Sequence, residues 1–173
     1  MTKQSDLWQF ANDFYAAPDV AKQLLALQNN YQVNVNYLIY ALWLSTFNYQ
    51  LRSLPAADDG AGVWRSEIAL PLRTLRFSLR SAKNNMQGIP ETVEACYQKM
   101  LTAELAAERV ELDFLEADIK KYAQPNVEKH AVDKLIAINV AVCCSDAELF
   151  PKSEELQLAL EKYIQLAINY MEY

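Results

Sequence analysis

Three glutamates, Glu104, Glu108 and Glu111, recur at spacings of four and three in a stretch that otherwise reads as uninterrupted helix. At about 100° per residue they fall within an arc of about 60°, and Val93, Tyr97, Leu115 and Tyr122 share that arc. The carboxylates therefore sit in the apolar face, not opposite it. An unpaired charge on a buried face is strongly unfavourable, so the fold must bring cations to it. The preceding helix supplies them. Arg73, Arg76 and Arg80 also fall within about 60°, and Arg65 and Lys83 extend the arc toward an apolar side of Ile68, Leu72, Leu75 and Leu79. The short Asn84–Pro90 connection makes the two helices antiparallel neighbours. Arg73 and Arg76 are expected to meet Glu104 and Glu108 as forked guanidinium–carboxylate pairs. Such a layer can fix the register of two helices, or it can line a charged cavity for an anion or a partner's charged segment.

The rest of the chain reads as helix. Gly occurs 3 times and Pro 6 times in 173 residues, too few for a turn-rich β protein. The expectation is an all-α, single-domain multi-helical bundle of about seven helices, spanning 1–173. Ser5 reads as the N-cap of a first helix to about Ala16, and Pro18-Asp19 restarts the chain into a second. The third helix, about Val33 to Arg52, is apolar almost all round and belongs in the centre. SLPAADDGAG, residues 53–62, is an internal loop. A fourth helix covers about Trp64 to Met86, with a kink or late start expected at Pro71. The fifth, about Glu91 to Tyr122, is the longest. A sixth over about Val127 to Ala147 and a seventh from Glu154 to Tyr173 complete the bundle.

Charge narrows the partners. The net charge is -6, which argues against a general nucleic-acid role, because a polyanion needs a basic field. Residues 65–89 nevertheless hold five basic side chains against one acidic, while residues 90–173 hold eight against sixteen. Cys96, Cys143 and Cys144 have neither disulfide-framework nor zinc spacing, which suits a reducing compartment. The N-terminus lacks the pattern of a signal peptide, and the longest apolar stretch, Val35 to Phe47, is too short for a membrane span of about 20 residues. A cytoplasmic location without membrane contact is expected.

Chemistry-bearing constellations are few. The one histidine, His130, lies in no Glu-x-x-His motif, so no metal site, cofactor or catalytic residue is assigned. Asn36, Tyr40 and Trp43 share one helix face at i, i+4 and i+7 and form either core or the lining of a small pocket. Tyr163, Tyr170 and Tyr173 make a C-terminal stripe that is core edge or partner surface.

The N-terminal stretch LWQFANDFYAAPDVAKQLLALQ, followed by NVNYLIYALWLS, resembles a small proteobacterial family of unknown function. The resemblance rests on Leu7, Trp8, Phe10, Tyr15, Pro18, Leu27, Gln28, Val35, Asn36 and Trp43, and continues through PLRTLR and AELAAERVEL to about residue 116. Asn34 and Tyr37 depart from the family's more usual Asp and Leu. The resemblance implies a bacterial cytosolic setting and carries no activity with it. The leading reading is a non-enzymatic protein-interaction or self-associating module, with a protein partner or homo-oligomer. A small-molecule binder or enzyme using the Arg/Glu layer is the alternative, and RNA or ribosome contact through residues 65–83 the second alternative.

Overall fold

The computed structural model describes residues 6–85, 90–144 and 153–172. It is all-α apart from one two-stranded ribbon, and it packs as two compact units. The larger unit comprises residues 1–54 and 116–173, and the smaller Pro55–Leu115.

In the larger unit α1 (Leu7–Tyr15) starts one residue later than the sequence suggested. Asp6 is its N-cap, accepting from Gln9 N at 2.7 Å, and Ser5 lies outside the described residues. Asp19, at φ 61°, opens α2 (Val20–Tyr31). The third helix α3 (Val35–Thr46) is the centre of the core, with ten consecutive buried residues from Asn36 to Ser45. Asn34 caps it, accepting from Asn36 N at 2.9 Å.

The expected extension of this helix to Arg52 does not occur. Asn48 takes φ 60°, which stops the helix, and β1 (Tyr49–Leu51) follows. It pairs antiparallel with β2 (Ala123–Pro125), placing Gln50 opposite Gln124. The fully buried Asn139 of α8 (Val132–Cys143) holds this corner together. Its Oδ1 accepts from Leu51 N at 2.8 Å, and its Nδ2 reaches Ser45 Oγ and Tyr49 O, each at 3.0 Å. The last helix α9 (Glu154–Met171) decides the fate of the tyrosine stripe. Tyr163 is fully buried and donates to Leu38 O at 2.9 Å, while Tyr170 packs edge-on against Phe14. Tyr163 belongs to the core and the half-buried Tyr170 to its edge; Tyr173 lies outside the described residues.

In the smaller unit, helix begins earlier than expected. The loop ends at Asp59, and Gly60 opens α4 (Gly60–Trp64). Gly62 is required there, because a Cβ would come within 2.0 Å of Ala56 O. A π-helical turn, Arg65–Ala69, then leads into α5 (Leu70–Asn85). The expected irregularity at Pro71 takes this form. Pro71 has no N–H to close an α-helical ring onto Glu67, and the π turn, in which Leu70 N donates to Arg65 O, absorbs the mismatch. The long helix α6 (Pro90–Ala117) is 28 residues, and its last two residues group with the larger unit. It stops before Tyr122. Asp118 leaves helical geometry, the four-residue α7 (Ile119–Tyr122) follows, and β2 begins.

Candidate functional site

The charged layer forms inside the smaller unit. Arg73 Nε donates to Glu104 Oε1 at 3.1 Å, and its Nη2 donates to Glu108 Oε1. Arg76 forks onto the same Glu104, with Nη2 3.1 Å from Oε1 and Nε donating to Oε2. Arg65 Nη1 lies 3.4 Å from Glu111 Oε1, and Lys83 pairs with Glu94. As the cation's number rises from 65 to 83, its partner's falls from 111 to 94, which is the signature of antiparallel helices. Trp64 adds an indole N–H to Ala107 O at 2.9 Å.

The carboxylates are deep. Glu104 and Glu111 are 3% and 1% exposed, and the guanidinium groups of Arg73 and Arg76 are mostly covered. The Glu104 hydrogen bond raises the pKa of Arg76 above its ordinary value, so this guanidinium stays charged. Burial raises the carboxyl of Glu108 despite the opposing pull of Arg73, and the neighbouring Glu104 and Glu111 add to the rise. Arg80 is exposed and stands apart from these pairs. The layer thus gathers Arg73, Arg76, Glu104, Glu108 and Glu111 of the expected set, with Arg65 taking the place of Arg80. Chemically it is a set of matched charges. Arg73 spends its fork on two carboxylates and Arg76 on one, leaving a fixed helix register as the effect most directly supported by geometry.

The second expected set separates in the same way. Asn36 is buried in the first turn of α3, and Tyr40 is fully buried with a hydroxyl that finds no hydrogen-bond partner among the described residues. Burial, and secondarily Asp118, drives that phenol far above its ordinary 10.0. Of the three, Trp43 lines a cavity, together with Phe47, Glu116, Ile119 and Lys120. Sequence reasoning missed Phe47, Glu116 and Lys120 because they come from separated segments, and no spacing links them. It also missed Asn139, whose single polar side chain in LIAINVAVCC gave no hint of its hydrogen bonds. Among the described residues no group of three or more His, Cys, Asp or Glu side chains is placed to hold a metal ion, and no helix is long and apolar enough to cross a membrane.

These features define a class: an all-helical protein with an internal arginine–glutamate layer between paired helices. The chain belongs to the family described as Protein of unknown function (DUF2390), whose model matches residues 6–115. The match spans both arms of the charged layer and ends where the chain returns to the larger unit. No curated protein and no solved structure matches the chain.

Proposed function

We propose that this protein is a non-enzymatic, self-associating module of the bacterial cytoplasm, and that the smaller unit carries the association surface. One observation carries the reading: the smaller unit buries the glutamates of its charged layer and exposes several large apolar side chains. Its buried apolar residues, among those described, are Ala61, Ala69, Ala107, Leu112 and Leu115. Ile68, Leu70, Leu75, Phe77 and Leu105 are exposed, Leu75 at 52%. Leu72, Leu75 and Leu79 form one stripe on α5, about 90° around the helix from the arginine side. Two helices held by ion pairs have little core of their own, and stacking the same stripe from a second copy supplies one as a four-helix arrangement. A self-complementary patch of this kind fits the commonest oligomer symmetry, a two-fold dimer.

The cytoplasmic part of the reading is supported by three free cysteines, Cys96, Cys143 and Cys144. Nucleic-acid contact gains no such support, because Arg65, Arg73 and Arg76 turn to glutamates. Sedimentation equilibrium tests the proposal. The wild-type chain is expected to dimerise reversibly, and Leu75→Glu with Leu79→Glu to be monomeric with unchanged helix content. A wild-type chain that stays monomeric at the highest soluble concentration overturns it.

A further inference from the structure

The larger unit holds a cavity of about 590 Å³, within the range that accommodates a small ligand. Its inner wall is aromatic and aliphatic. Trp43 is nearly buried and meets Phe47 edge-to-face with ring centroids 4.7 Å apart, and Ile119 joins them. Its outer wall is charged, with Asp6 and Lys120 exposed and Glu116 half-buried.

The two carboxylates are fixed by the start of α1. Asp6 Oδ1 accepts from Gln9 N at 2.7 Å, and Glu116 Oε2 accepts from Leu7 N at 2.9 Å. Each uses one oxygen as a cap and keeps the other. The helix terminus contributes about half a positive charge and Lys120 one more, so the two carboxylates leave the rim net negative. Indole and phenyl faces also attract cations. We propose that this cavity binds a small organic ammonium ion with an aromatic or alkyl body. The body lies against Trp43 and Phe47, and the ammonium group lies between Asp6 and Glu116. The site shares no residue with the association stripe, so each proposal stands or falls alone.

The test uses three probes of one size on the full chain: phenethylammonium, 2-phenylethanol and phenylacetate. Binding is read from calorimetry and from the Trp43 indole N–H resonance. Phenethylammonium should saturate and shift that resonance, binding about ten-fold more tightly than the alcohol, with phenylacetate weakest. Glu116→Gln keeps an acceptor for Leu7 N and should lower ammonium affinity about ten-fold without changing that of the alcohol. Lys120→Gln, an exposed change that does not touch the fold, should move ammonium affinity the opposite way. Phenylacetate binding as tightly as phenethylammonium overturns the proposal. So does a Trp43 resonance that no probe moves, or a Lys120→Gln affinity that does not rise.

Discussion

The two units of this chain solve the same packing problem with opposite materials. The larger one surrounds α3 with leucines and aromatic rings, and meets the polar side chain of Asn139 with several hydrogen bonds. The smaller one places arginines and glutamates where a core would be and leaves leucines outside. Apolar burial is roughly additive in area and indifferent to register, whereas forked ion pairs work in only one alignment. The larger unit thus gains stability from its interior. The smaller gains register from its interior and keeps large apolar side chains exposed.

The sharpest way to break this contrast is to remove Glu104, which holds two guanidinium groups. Glu104→Ala should destabilise the smaller unit by about 3–5 kcal/mol, read from urea unfolding, because Arg73 and Arg76 are left buried without it. Replacing Arg73, Arg76, Glu104 and Glu108 together by Leu, Met, Leu and Met, so that no partner is left behind, should be neutral or stabilising by about 1–4 kcal/mol. A large loss in this quadruple variant would mean that the layer supplies stability and not register alone. In the larger unit, Asn139→Leu should cost about 3 kcal/mol of thermal stability, since Leu51 N and its neighbours lose their partner in a dry corner. Here the apolar exchange gives no relief, which is the contrast in one comparison.

Smaller effects follow. Gly62→Ala should cost about 1–3 kcal/mol by forcing the Ala56 backbone aside. The two units should also respond to opposite ends of the pH scale. In the larger unit, burial raises the phenols of Tyr40 and Tyr163 above 10.0 and pushes the Cys144 thiol up to about 11. The folded state then binds more protons than the unfolded one, so stability should fall as pH climbs past 9 and 10. In the smaller unit Glu108 is the raised acid, and its contribution should decline as pH rises above the ordinary 4.5. Glu108→Gln should flatten that acid-side slope and leave the alkaline limb untouched, as followed by denaturant titrations across pH.

The charged layer was legible because helical spacing alone puts Glu104, Glu108 and Glu111 on one side and Arg73 and Arg76 on another. The antiparallel pairing then followed from the short connection. The helical fold class and the central position of α3 were legible for the same reason, a strong period in a long segment. The ribbon was not. YQL and AQP are too short for alternation to register, and what makes them strands is the Asn48 turn together with Asn139, 88 residues beyond Leu51 in sequence. The exposure of Ile68 and Leu75 was equally hidden, because a sequence marks an apolar stripe without saying whether anything covers it.

The π turn at Arg65–Ala69 has a consequence for how this helix tolerates insertion and deletion. Each π ring closes with one residue more than an α ring, so the turn acts as a phase shifter between Trp64, anchored on Ala107, and Arg73, anchored on Glu104. Deleting one residue within it would let ordinary helix carry the same phase, whereas deleting one of residues 70–72 with the π turn retained would rotate everything downstream by about 100°. Arg73 and Arg76 would then swing off their glutamates, while every residue of the layer remained in the chain.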